Sequence, residues 1–215
     1  MYTALILCGG ESQRSELKYN KVFHLFHEKP LVMYAVERFL SDQECDEIIV
    51  ITRNEDLLRM SELVGTFANV FEGGKLRQDS ARLGLEKVKS EYVLIHDGSR
   101  GYFTLNTLRR LKDQLKHHYS VSPGVPVIDT LKRVSENSVI GDVYREGLVH
   151  VQTPQAFVTS KILEAHRQED GEVYSCDASL LKARLDIDTR IVKGDRMNIK
   201  FTTPDDEALL EMILK

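Results

Sequence analysis

The sequence predicts a three-layer α/β sandwich with a mostly parallel sheet and a protruding β-arm. Three observations carry that expectation. Short aliphatic or β-branched runs alternate with longer segments of helical period, the order that covered parallel sheets require. One segment, LKRVSENSVIGDVYREGLVHV at 131–151, breaks that rhythm and alternates polar with apolar residues, as a hairpin too polar for its own core does. Finally, 215 residues with 42% hydrophobic content can bury a substantial core as one domain, taken as 1–215.

The expected strands are Ala4 to Leu7, Glu47 to Ile51, Tyr92 to His96 and the weaker Arg190 to Val192. Leu31 to Leu40 follows Pro30 and sets Leu31, Tyr34, Ala35 and Phe39 near one helical face. Ser80 to Val88 does the same with Ala81, Leu85 and Val88, and Gly84 on that face lets the helix approach the sheet closely. Thr104 to His118 presents Leu105, Leu108, Leu111 and Leu115, with His117 and His118 as surface residues at its polar end. The last helix takes Thr203 as N-cap and Pro204 as its first residue. Asp205 and Asp206 then meet its positive end, and Ala208, Leu209 and Met212 point inward. In the arm, Glu136-Asn137 and Gly141-Asp142 are the turn formers. Such an arm often packs on a partner subunit, so a homodimer is expected; a solvated excursion is the plainer reading.

A net charge of -4 with pI near 6.0 excludes a protein that coats nucleic acid, though not a local basic pocket. No apolar run reaches membrane-spanning length, and the apolar part of MYTALILCGG is too short for a signal peptide. Cys8, Cys45 and Cys176 are odd in number and lack a CxxC pair, so they fit a reducing cytoplasm better than a disulfide framework or a zinc site. A cytoplasmic protein with no nucleic-acid and no membrane partner is expected.

Ligands of open parallel sheets bind outside the carboxyl ends of the strands. Three segments fall at that edge and combine glycine with charge. LILCGGESQRSELKYNK gathers Arg14, Lys18 and Lys21 after Gly9 and Gly10. EGGKLRQD precedes Ser80, and HDGSR follows the third strand. One such loop reads equally as a solvated turn or an anion site, but three together favour the anion. The first loop is neither a GxxxxGK[ST] phosphate loop nor a GxGxxG fingerprint, so loop amides and separate cations must share the work. Asp97 beside Arg14 and Lys21 suits Mg²⁺ on a triphosphate, because Mg²⁺ takes one or two carboxylates plus phosphate oxygens and water. Its plainer reading is a turn cap.

These segments belong to a longer series in register along nearly the whole chain. The series comprises GG-x3-R with Lys21 beyond, GG-x2-RQ-x-S at Gly73 to Ser80, HD-x2-R at His96 to Arg100, and PV-x-DT-x-K at Pro126 to Lys132. It continues with Tyr144-Arg145, QTPQ-x-F at Gln152 to Phe157, DASL at Asp177 to Leu180, and GD-x2-NIK-x-TTPD at Gly194 to Asp205. The chain thereby resembles the 2-C-methyl-D-erythritol 4-phosphate cytidylyltransferase family.

The resemblance implies a Rossmann-like nucleotidyltransferase fold and transfer of CMP from CTP to a sugar-alcohol phosphate, with release of pyrophosphate. It also implies a homodimer whose arm contributes to the neighbouring site. The acceptor's phosphate oxygen is already a nucleophile at neutral pH, so cations and orientation are needed rather than a general base. By the family pattern Arg14, Lys21 and Lys200 are catalytic, neutralising the triphosphate and the transition state, and Asp97 holds Mg²⁺. Gly9, Gly10, Gly74, Ser80, Asp97 and Gly98 bind the nucleotide. Thr130, Arg145, Thr153 and Lys200 bind the acceptor, with Asp129 and Lys132 beside them. Taken singly, Lys200 reads as a solvated lysine and Arg145 as a partner of Glu146.

Departures from the family pattern are Ser12 in place of a glycine, Asn20-Lys21-Val22 in place of Pro-Lys-Gln, Gly101 in place of a proline, and Ser175-Cys176 in place of Thr-Asp. Two other functions stay open: a cytidylyltransferase for another pentitol phosphate such as ribitol 5-phosphate, and a non-catalytic nucleotide-binding scaffold. DASL and PV-x-DT-x-KRV favour the methylerythritol substrate, and the retained cations argue against a scaffold.

Overall fold

The computed structural model describes residues 1–10, 17–168 and 170–215. Arg14 and Ser12 therefore lie outside the described residues. The strands are β1 (Tyr2–Leu7), β2 (Leu25–Phe26), β3 (Lys29–Pro30), β4 (Cys45–Thr52), β5 (Asn69–Glu72), β6 (Tyr92–Asp97), β7 (Ser120–Pro126), β8 (Leu131–Ser135), β9 (Ser138–Val143), β10 (Val149–Val151), β11 (Gln155–Val158) and β12 (Arg190–Lys193). The helices are α1 (Leu31–Leu40), α2 (Leu57–Val64), α3 (Arg77–Leu85), α4 (Leu105–Leu115), α5 (Thr159–Arg167), α6 (Asp177–Leu185) and α7 (Asp205–Ile213).

The main sheet runs β10-β7-β11-β6-β1-β4-β5, with β12 added in parallel to β7. Its core β6-β1-β4-β5 is parallel, whereas β11 is antiparallel to both neighbours. Successive residues of β1 and β4 serve opposite faces. Ala4, Ile6, Ile48 and Val50 pack with α1, α2 and α4, while Leu5, Leu7, Ile49 and Ile51 pack with α3, α5 and α6. Burial on both sides explains why these strands are apolar without interruption. A third cluster joins Leu210 and Leu214 to Phe26, Leu31 and Phe201.

Most expectations hold, and several shift. Gly84 does let α3 reach the sheet, since a Cβ there would lie 2.5 Å from Leu5 Cδ1. The helix itself starts at Arg77, three residues before the expected Ser80. Thr104 caps α4 by accepting from the Thr107 N–H at 3.1 Å, but Leu105, expected inside, is exposed because it lies in the first turn beyond the sheet contact. At α7 the cap is reversed. Asp206 Oδ2 accepts from the N–H groups of Thr202 and Thr203 at 2.7 and 2.8 Å, and the helix begins at Asp205. Its inward residue is Leu210, not Ala208, Leu209 or Met212, which face solvent. In ALLEMIL two overlapping apolar stripes compete, and the Phe26–Phe201 cluster selects one.

The arm is the β8–β9 hairpin, turned by Glu136 and Asn137 at φ 46° and 61°. Gly141-Asp142 is not a turn; it lies within β9, opposite Arg133 and Lys132. The excursion ends sooner than 151, because Val149–Val151 returns to the main sheet against β7.

Candidate active site

Over the carboxyl ends of β1 and β6 lies a cavity of about 400 Å³. Gly9, Gly10, Lys21, Ser80, Asp97 and Lys200 line it, joined by Arg77, Lys75, Asn20 and Ser99. Asp97 is the one carboxylate among its described lining residues.

Asp97 ends β6 and is buried, with three cations around it. Lys200 Nζ donates to Oδ2 at 2.9 Å, Arg77 Nε donates to Oδ1 at 3.2 Å, and Arg100 Nε stands 3.8 Å from Oδ2. Burial alone would push this carboxyl up, but Arg77, Lys200 and Arg100 more than offset it and hold Asp97 well below the usual carboxylate range.

Lys200 lies in a loop, and three polar side chains and one backbone bond weld that loop to the sheet. Asn198 Nδ2 donates to the Thr153 carbonyl at 2.8 Å, and Gln152 Nε2 donates to the carbonyls of Asp195 and Asn198 at 2.6 and 3.1 Å. Arg100 Nη1 donates to the Asn198 carbonyl at 2.7 Å, and the Phe201 N–H donates to the Ser99 carbonyl at 2.9 Å. The QTPQ and NIK segments are thus the two halves of one buried polar joint.

Thr153 sits beside Asp97 with its hydroxyl engaged. His96 Nε2 is 2.9 Å from the Arg100 carbonyl, an acceptor, so Nε2 carries a proton. Burial pushes this imidazole down to about 4, so it is neutral at physiological pH and Nδ1 is an acceptor. The Thr153 hydroxyl donates to Nδ1 at 3.0 Å and accepts from the Asp97 N–H at 3.1 Å. One lone pair is left on that oxygen.

The glycines have separate reasons. A Cβ on Gly98 would lie 2.4 Å from Cys8 Sγ, and its N–H already donates to the Leu7 carbonyl at 2.9 Å. The Gly73-Gly74 turn packs against the start of α3. Ser80 Oγ accepts from the Gly74 N–H at 3.1 Å, so both candidates spend these groups on closing the turn. Gly9 and Gly10 line the cavity directly. Thr130 and Arg145, at the base of the arm, are exposed and do not line it, nor do Asp129 and Lys132. Arg145 Nη1 donates to the Ile128 carbonyl rather than meeting Glu146.

Sequence reasoning missed Arg77 as a member of this site. Its Nη1 donates to Asp177 Oδ2 at 2.8 Å while its Nε holds Asp97. Asp177 is 1% exposed, and its other oxygen faces His166 Nε2 at 3.1 Å. Burial by itself would raise the Asp177 carboxyl, but Arg77 and His166 outweigh burial and keep it below its usual range. The only available signal was the shared presence of RQ and DASL in the motif series, and nothing in the spacing joins residues 77 and 177.

Among the described residues no group of three or more His, Cys, Asp or Glu can hold an ion. A single carboxylate at a cation-lined cavity fits Mg²⁺ that arrives with a triphosphate and not a resident, protein-caged metal.

The parallel-core α/β sheet, with its cation-lined, glycine-edged cavity at the strand ends, has the nucleotidyltransferase fold. The model of the 2-C-methyl-D-erythritol 4-phosphate cytidylyltransferase (IspD) family matches residues 2–215, and the chain belongs to that family. The enzyme of that name from Bacillus cytotoxicus is 35% identical over 222 residues, covering 100% of this chain and 98% of the relative. Its counterpart from Shouchella clausii is also 35% identical, covering 100% of this chain and 96% of the relative. The solved structure of the Thermus thermophilus 2-C-methyl-D-erythritol 4-phosphate cytidylyltransferase superposes with a TM-score of 0.84 at 26% identity, over 98% of this chain and 97% of that one.

Proposed function

We propose that this chain transfers CMP from CTP to 2-C-methyl-D-erythritol 4-phosphate and releases pyrophosphate, a step of isoprenoid precursor synthesis. The observation that carries the reading is the cavity lined by Lys21 in which Lys200 and Arg77 hold Asp97, in a chain that belongs to this family along its length. An acceptor phosphate oxygen attacks the α-phosphorus, forming a P–O bond as the bond to the β-phosphate oxygen breaks, and the electron pair leaves on pyrophosphate. No proton need be removed from the nucleophile. The protein's task is to bring two anions together and stabilise the charge that develops between them.

In this reading Lys21 and Arg14 neutralise the triphosphate, and Lys200 serves both the transition state and the acceptor phosphate. Gly9 and Gly10 let the nucleotide approach the backbone, with Ser80, Gly74 and Gly98 shaping the pocket wall. Asp97 would hold Mg²⁺, which would supply positive charge against the phosphates. Thr130, Arg145 and Thr153 take the acceptor end. The arm packs on a second copy: Val134, Val139 and Ile140 are each about 60% exposed, and among the described residues β8 and β9 pair only with one another. Dimerisation would cover these side chains and bring a neighbour's Thr130 and Arg145 within reach of a site they do not line in their own subunit.

The test is pyrophosphate release by the purified protein with CTP and Mg²⁺, offering methylerythritol 4-phosphate and ribitol 5-phosphate in parallel. Release with the first acceptor alone supports the proposal. Release with ribitol 5-phosphate alone replaces the acceptor, and CTP binding without release with either replaces the enzyme by a scaffold.

A further inference from the structure

Asn20 directly precedes Lys21, is 1% exposed, and makes three interactions through its side chain. Its Nδ2 donates to the Cys8 carbonyl at 2.6 Å and to Asp56 Oδ2 at 2.9 Å, while its Oδ1 accepts from the Val22 N–H at 3.4 Å. Asp56 is itself held, since Arg53 Nε donates to its Oδ2 at 2.8 Å. Cys8 follows β1 directly, and Lys21 opens the helical turn Lys21–Phe23 that Asn20 caps.

We propose that Asn20 is a positioning residue for Lys21, clasping the Lys21 turn to the end of β1 and to the Arg53–Asp56 pair. The physical reason is local. A lysine reaches its target through four flexible carbons, so the direction of its charge depends on a backbone that does not move. Both Nδ2 hydrogens of a buried primary amide are used here, one on a backbone carbonyl and one on a carboxylate, a combination neither a hydroxyl nor a carboxylate side chain can reproduce. The charge-assisted contact with Asp56 is the stronger of the two kinds. The turn carries a second constraint, because Asn20 adopts φ -66°, the angle to which a proline ring is locked. Proline at this position would therefore hold the same turn by covalent geometry instead of by hydrogen bonds.

The inference rests on Lys21 acting in the proposed transfer, and a mutant cycle separates the two. Turnover and the CTP KM are measured by pyrophosphate release for Asn20→Ala, Asn20→Pro, Lys21→Ala and Asn20→Ala/Lys21→Ala, with thermal melting of each. Asn20→Ala lowers kcat by about tenfold with a CTP KM changed less than about threefold, the signature of a misplaced group acting late in the reaction. Asn20→Pro recovers kcat to within about threefold of the parent. In the Lys21→Ala background Asn20→Ala costs nothing further, because the two act as one unit. Additive losses, a folded Asn20→Ala protein with kcat within about twofold of the parent, or a folded Asn20→Pro protein with kcat down about tenfold or more would each overturn the clasp. Near-normal turnover of Lys21→Ala would instead overturn the role of Lys21 itself. If Asn20→Ala does not fold, Asn20→Pro decides by the same limits.

Discussion

Lys200 Nζ lies 2.9 Å from Asp97 Oδ2, although 103 residues separate them in the chain. The ion pair sits at the rim of the cavity, with the Lys200 side chain one-third exposed. In this state the lysine is held by a carboxylate of its own protein. In the proposed transfer an incoming phosphate would compete for the same ammonium, so the pair would keep the cation aimed before substrate arrives.

Replacing Lys21 or Lys200 by alanine removes a donor to developing charge and lowers turnover by about 10²-fold or more. Single-turnover pyrophosphate release checks this, and near-normal rates in both variants would remove the mechanism.

Asp177 anchors Arg77, and through Arg77 it fixes Asp97. Asp177→Asn keeps the shape but removes one of the two buried carboxylates that Arg77 holds, leaving Asp97 alone, and costs stability on the order of 3 kcal/mol. The urea midpoint falls, and CTP turnover falls with it as Arg77 loosens. An unchanged midpoint would mean that Asp97 alone suffices to neutralise Arg77 and that Asp177 is no anchor.

His96 makes stability depend on pH. Its ring is wholly buried between Phe39 and Phe103 and is held down to about 4, against about 6.5 in an unfolded chain. The unfolded state therefore binds the proton first as pH falls. The contribution is complete above about pH 6.5, is lost progressively down to about pH 4, and amounts to a few kcal/mol by linkage. Urea midpoints from pH 8 to 4 report it, and a His96→Gln variant flattens that part of the profile.

The arm predicts an assembly state. The parent sediments at twice 24.6 kDa, and Ile140→Glu, which sets a charge among the exposed apolar side chains of β9, sediments as a monomer with lowered turnover. A monomeric parent with full activity would leave the arm without this role.

The strands β1, β4 and β6 were legible because burial on both faces leaves an uninterrupted apolar run in the sequence itself. The loops that follow them were legible for a related reason, since glycine and charge at a strand end have few other uses. By contrast β7, which reads SVSPGVP, resembles a turn. It is a strand because β10, β11 and β12 all pair with it, and Gly124 leaves room where a Cβ would lie 2.8 Å from Ile191 Cγ2. The face of α7 was undecided between two apolar stripes until the Phe26–Phe201 cluster chose Leu210. Local composition thus determined the layers and the sheet edge where glycine and charge gather, Lys21 among them, whereas Lys200 stood out only through the motif series. Tertiary structure alone decided that Asp97 is shared by Lys200 and Arg77, that Asp177 stands behind Arg77, and that Asn20 holds Cys8. Those pairs lie 103, 20, 100 and 12 residues apart, and no periodicity within a helix or strand relates them; only packing brings such groups within hydrogen-bond distance.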